Sequence, residues 1–247
     1  FSAKILEDIL KDSFFDVKLV VSQPDKRLWR EQILTATPVH KVALENGLEI
    51  MQPEKLRENT EFFEKLKSLD LDFIIVVAYW KIIPNEILEI PKNFVVNIHG
   101  SILPLYRWAS PIQESVKNWD TKTGLTIMKM SEGMDEWDIL SIEEVEIDLR
   151  DKSQDIFDKF SEIWTSLLSD TLKKYISWEI TPLKQDDSKA TYCTKISKED
   201  WKIDFSKSSK EIYDMWRAYS TWPWIYTYFK WKKLDITDCF FDSQEIS

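Results

Sequence analysis

Hydrophobic positions along the chain recur with two periods, and the period decides the element. In residues 2–12, SAKILEDILKD, Ile5, Ile9 and Leu10 fall at helical spacing and predict an amphipathic helix. Residues 17–25, VKLVVSQPD, predict a buried strand ending at a proline turn. Residues 36–47 predict a helix with Thr37 as N-cap, Pro38 in its first turn and Gly47 just past its end. A short amphipathic helix follows over 61–69. The continuous apolar runs 72–79 and 94–99 predict strands covered on both faces. Ser110 and Pro111 open a helix to Asn118, a strand covers 124–130, and a long helix covers 153–177. Strands alternating with helices predict an α/β class with a Rossmann-like, open, mostly parallel sheet. Such a domain normally opens with a strand. Here Phe1 runs directly into a helix, so the first strand of a domain over 1–179 is expected to be missing.

The pattern changes near residue 180. Residues 180–198 are polar and irregular and predict a linker. A helix over 206–219 and β-hairpin material after it predict the start of a second domain over 199–247, which stops without closing a barrel.

Composition narrows the class. A hydrophobic content of 43% and a charged content of 31% fit a soluble globular protein. The longest apolar run, 73–80, is too short to span a bilayer, and no leader opens the chain. Cys193 and Cys239 lack metal-ligand spacing, which predicts a reducing, cytoplasmic setting without a disulfide framework. The formal charge of −10 disfavours broad nucleic-acid binding but leaves room for a local basic patch.

One imbalance stands out: 12 Trp against 4 Gly. At ordinary usage about 17 glycines are expected in a chain of this length. Several tryptophans fall where turns ask for glycine. Trp178 follows the long helix, Trp119 follows the helix from Pro111, and Trp231 sits at a hairpin tip between Lys230 and Lys232. Ten positions make better local sense as glycine: Trp29, Trp80, Trp108, Trp119, Trp137, Trp164, Trp178, Trp201, Trp224 and Trp231. A code in which UGA specifies glycine, read as though UGA specified tryptophan, produces this pattern.

The candidate chemistry lies in NIHGSILPLYRWASPIQ, residues 97–113. His99 ends an apolar strand, where ligands bind in open α/β sheets. Asn97 shares its face by the period of two. Asp135 lies in a loop after the strand 124–130. Each alone also fits an ordinary structural role: a loop-capping amide, a satisfied polar side chain, a solvated loop carboxylate.

In combination the motifs are similar to those of the methionyl-tRNA formyltransferase family. They are VVSQPD (20–25), LTATPV (34–39), QPEKL (52–56), VVAYWKIIP (76–84), NIHGSILPLYRWASPIQ (97–113), TGLTIMKMSEGMDEWDIL (123–140), KIDFSKS (202–208) and RAYSTWPWIYTYF (217–229), in family order. The family usually carries glycine where Trp29, Trp80, Trp108, Trp137 and Trp224 stand. The resemblance implies a formyltransferase fold followed by the start of a small OB-like β domain. It implies a monomeric, cytoplasmic bacterial enzyme with 10-formyltetrahydrofolate as co-substrate, initiator methionyl-tRNA as partner, no metal and no membrane. Asn97, His99 and Asp135 match the catalytic trio. Asn97 and protonated His99 would donate to the oxyanion, and Asp135 would hold the imidazole tautomer or take the amine's proton. Ser101, Ile102, Leu103 and Pro104 match the signature loop beside the folate, with Tyr79 and Ile82 in the pterin-pocket lining. Lys26, Arg27 and Arg30 match the loop that enters the tRNA acceptor end. Lys207, Lys210, Arg217, Lys230, Lys232 and Lys233 give the C-terminal part a local excess of base. The alternatives are a sugar-nucleotide N-formyltransferase, which shares the HGS-x-LP core, and a noncatalytic RNA-binding remnant.

Overall fold

A computed structural model describes residues 2–28, 33–79, 81–131, 133, 135–220 and 224–240. Trp29, Arg30, Trp80 and Trp222 lie outside the described residues. In chain order the elements are α1 (Ser2–Ile9), β1 (Val20–Val21), β2 (Lys26–Leu28), β3 (Ile33–Thr35), α2 (Pro38–Glu45), β4 (Ile50–Met51), α3 (Thr60–Ser68), β5 (Phe73–Val76), α4 (Asn85–Leu88), β6 (Phe94–His99), β7 (Arg107–Trp108), α5 (Pro111–Lys117), β8 (Lys122–Lys129), β9 (Ile139–Glu146), α6 (Ser153–Ile176), β10 (Tyr192–Cys193), α7 (Ser209–Tyr219), β11 (Tyr226–Phe229) and β12 (Lys232–Asp235).

Local chemistry sets the helix ends. Thr37 accepts the backbone N–H of His40 at 3.1 Å, Pro38 fills the first turn of α2, and Gly47 takes φ +65° beyond its end. Ser208 and Glu211 close a reciprocal capping box on α7. Along α6, Ile156, Phe160, Trp164, Leu168 and Leu172 recur every fourth residue and are buried in the main core with Val96, Ile98, Leu125 and Ile127. Truncating Phe160 to alanine there is expected to cost about 3–5 kcal/mol.

The main sheet runs β5-β6-β8-β9. β5 and β6 are parallel, and β8 and β9 extend the sheet antiparallel, with His99 paired to Thr126. β1 and β4 form a separate parallel pair. Between that pair and β5 lies a cavity of about 880 Å³, lined by Leu6, Val20, Phe62, Ile74 and Leu172 among others. The apolar run of β5 predicts cover on both faces, yet Phe73–Val76 are only half-buried, because they open onto this cavity.

Two segments add to the sequence reading. β9 is a strand of the sheet although ILSIEEVE carries three glutamates. It is the edge strand, and Glu143 and Glu144 point to solvent. The 180–198 stretch is docked rather than free. Leu183 bridges to Ile139, β10 pairs with β7, and Gln185 and Cys193 are buried. Its polar side chains are used on backbone groups of the core, so hydropathy alone reads it as a linker. Downstream, α7 packs on α5, and Tyr213, Met215, Trp216 and Tyr219 join the main core.

Candidate active site

β6 places the first two groups. Its alternation sets Asn97 and His99 on one face, and Phe94, Val96 and Ile98 are buried in the main core. The Asn97 side chain has no hydrogen-bond partner among the described residues. His99 is 6% exposed, and its Nε2 lies 2.9 Å from the carbonyl of Tyr106. A carbonyl only accepts, so Nε2 carries the proton of the neutral ring, and Nδ1 is the edge left for other partners. Nδ1 faces Asp135 Oδ2 at 3.7 Å.

Asp135 arrives from the loop between β8 and β9 with φ +57°. Its Oδ2 accepts the backbone N–H of Trp108 at 2.9 Å. One short segment thus serves both partners: Tyr106 holds His99 and Trp108 holds Asp135. Between them Arg107 is 1% exposed and bound to Gln185, Asp187 and Tyr192. Sequence reasoning missed this frame, because Gln185 lies fifty residues beyond Asp135 in a stretch without hydrophobic periodicity.

The 101–104 turn is built from inside. Ser101 is fully buried and donates to the Leu105 carbonyl at 2.6 Å, so it supports the loop. Thr126 donates to the Ser101 carbonyl at 2.6 Å and accepts the N–H of Leu103 at 3.3 Å. Leu103 packs with Met128 and Trp137, Pro104 is half-buried, and the Ile102 side chain crowds Gly124. A Cβ on Gly124 would lie 2.5 Å from the Glu143 carbonyl, so only glycine fits there. Tyr79 is half-buried and packs beside Leu56, Phe62 and Ile87; its hydroxyl is buried without a partner among the described residues. Ile82 is 71% exposed and joins no apolar cluster of the described residues, so nothing in this structure makes it a pocket wall.

Lys26 is exposed on β2, and Arg27 follows it in the same strand of the β2–β3 hairpin. At the hairpin base stands a second polar cluster. Asp25 accepts from Gln52 Nε2 at 2.8 Å and from the Thr37 N–H at 3.1 Å, and lies 2.9 Å from His40 Nδ1. Hydrogen bonds from Gln52 and then His40 hold the Asp25 carboxyl below the usual carboxylate range. The expected C-terminal basic surface is smaller than the sequence suggests. Arg217 is buried against Asp214 and the carbonyls of Val116 and Asp151, Lys210 shares Asp214, and Lys233 pairs with Asp235. Among the described residues no cluster of three metal-ligating side chains forms, and no helix is long and apolar enough to cross a membrane.

Comparison with known proteins decides the family. The formyl transferase family model matches residues 1–172, and the formyl transferase C-terminal domain matches residues 195–246. A methionyl-tRNA formyltransferase of Caldicellulosiruptor saccharolyticus is 46% identical over 236 residues, spanning 96% of this chain and 75% of the relative. One from Listeria innocua is 39% identical over 247 residues, spanning 100% of this chain and 78% of the relative. The chain belongs to the methionyl-tRNA formyltransferase family. Among solved structures, a 4-N formyltransferase from Francisella tularensis superposes with a TM-score of 0.72 at 20% identity, covering 95% of this chain and 91% of that one. The sugar 3N-formyl transferase WlaRD, solved with dTDP and 5-N-formyl-THF, gives a TM-score of 0.64 at 23% identity, covering 88% of this chain and 74% of that one. At such identities these neighbours share the fold, and the sugar-nucleotide alternative gains nothing more from them.

Proposed function

We propose that the enzyme transfers the formyl group of 10-formyltetrahydrofolate to the α-amine of methionine on initiator tRNA, as a cytoplasmic monomer serving translation initiation. The observation that carries the reading is the constellation at the carboxyl end of β6, where His99 Nδ1 faces Asp135 at 3.7 Å on the face shared with Asn97. The folate supplies a formyl carbon activated at N10. An Asn97 amide without a hydrogen-bond partner among the described residues suits a ligand with a carbonyl oxygen, and the half-buried, apolar Pro104 suits a flat body.

The residues divide the work by their free valences. Negative charge develops on the formyl oxygen as the amine adds, and the Asn97 amide N–H donates to it. With Nε2 committed to Tyr106, His99 donates through Nδ1 when charged. Asp135 keeps Oδ2 on Trp108, so its second oxygen is available to take a proton from the amine; collapse of the tetrahedral carbon then breaks its bond to N10, and tetrahydrofolate leaves with that proton on N10. Lys26, Arg27 and Arg30 meet the acceptor end of the tRNA.

The same reading divides the chain into a catalytic domain over 1–179, a connection over 180–198 and the start of an OB-like tRNA-binding domain over 199–247. The cavity between β1 and β5, apolar and bounded by two strand edges, supports an additional strand preceding Phe1. The test of function is a side-by-side assay of the full gene product with 10-formyltetrahydrofolate and two acceptors, methionyl initiator tRNA and a dTDP-aminosugar. Turnover is expected with the tRNA alone; turnover with the sugar alone would reject the proposal.

A further inference from the structure

We propose that Gln185 is a positioning residue for formyl transfer: its buried amide ties the Asp135 loop to the 106–108 segment and so sets the approach of Asp135 to His99. The inference rests on the catalytic reading of Asn97, His99 and Asp135.

Gln185 is 5% exposed, and all its hydrogen-bonding capacity is engaged. Nε2 donates to the Asp135 carbonyl at 2.9 Å and to the Trp137 carbonyl at 2.7 Å. Oε1 accepts from Arg107 Nε at 3.1 Å and Nη2 at 2.8 Å. The amide has one possible orientation, because a guanidinium only donates and a carbonyl only accepts. Arg107 is flanked by the residues that bind the trio: the Tyr106 carbonyl on His99 Nε2 and the Trp108 N–H on Asp135 Oδ2. A closed ring of contacts therefore runs Gln185, Asp135, Trp108, Arg107 and back to Gln185.

The ring has something to hold. Asp135 sits at φ +57°, in the left-handed region that aspartate tolerates better than most residues but still at a cost relative to glycine, so contacts that fix it there matter. Gln185 grips the carbonyl of that residue, while Trp108 grips its carboxylate. Without the amide, two carbonyls lose their donor and the loop is free to relax. A displacement of about 1 Å at such a site costs roughly 10²-fold in rate. Gln185 itself is enclosed by these partners, so it acts through Asp135.

Two substitutions in the full gene product test this. Gln185→Met keeps length and removes every bond. Gln185→Glu keeps an acceptor for Arg107 and aims a second acceptor at the two carbonyls. Each is expected to lower kcat, per folded enzyme, by about tenfold or more, with both KM values within about twofold. In an Asp135→Ala background neither is expected to lower kcat further, since the residues act as one unit. An equal loss in both backgrounds would overturn the proposal. So would a lower thermal midpoint with unchanged kcat, which is the signature of a purely structural amide. Wild-type kcat in Asp135→Ala itself would remove the catalytic reading and this inference with it. Loss in Asp135→Ala beside full activity in both Gln185 variants would remove this inference alone.

Discussion

Trp108 combines a necessary backbone with an unsuitable side chain. Its N–H holds Asp135, while its φ of +87° lies where a side chain is strained. Trp119, Trp178, Trp224 and Trp231 also stand at positive φ, between +59° and +70°. Each strained residue costs about 1–2 kcal/mol relative to glycine. Trp164 misfits differently: it is fully buried, and its indole N–H has no partner among the described residues. Trp137 shows no such strain. Its φ is not positive, and its ring packs with Leu103 and Met128. The coding DNA is expected to read TGA at the five positive-φ tryptophans and at Trp164, and TGG at Trp222; TGG throughout would reject the recoding. Trp178→Gly and Trp231→Gly, remote from the site, should each raise the thermal midpoint and leave kcat unchanged. All five positions were legible in the sequence, Trp119, Trp178 and Trp231 from turn chemistry and Trp108 and Trp224 from the family motifs; the dihedral angles add the strain at each.

At the scale of elements, the β2–β3 hairpin stands on the Asp25 cluster and carries the cations nearest the tRNA reading. Neutralising Lys26, Arg27 and Arg30 together is expected to raise the KM for charged tRNA and flatten its salt dependence, because fewer counterions are released. The donor KM should stay in place; a donor effect instead would assign the hairpin to the folate site. Asp25 adds a pH signature. Its carboxyl is depressed in the folded state, first by Gln52, so the stability it contributes is present above the ordinary carboxylate range and lost as pH falls through the folded value. Gln52→Leu removes that first cause. The variant should be less stable at neutral pH, and part of its gap to wild type should close on acidification, as read by thermal midpoints across pH. A gap independent of pH would assign the loss to packing. The strong periodic elements here were legible from sequence: α2 with its caps, the α6 stripe, β6. β9 was not, since an acidic edge strand has no hydrophobic alternation to show.

For the whole molecule, legibility followed what each force writes into the chain. Burial leaves a period, so the α/β alternation and the strand carrying Asn97 and His99 were readable. Hydrogen-bond closure between distant polar residues leaves none, so the frame of Tyr106, Arg107, Trp108 and Gln185 needed coordinates. Local charge misled for the same reason: Arg217 counts as a surface cation in the sequence and is a buried strut between α7, α5 and the turn before α6. The most direct measurement of the central claim is kcat for formyl transfer from 10-formyltetrahydrofolate to methionyl initiator tRNA, in the full gene product and in Asn97→Ala, His99→Ala and Asp135→Ala. Each substitution is expected to lower kcat by roughly 10²-fold or more, the scale of a lost oxyanion donor or general base, with folding nearly unchanged. Near-normal kcat in all three would contradict the assignment of formyl transfer to the end of β6.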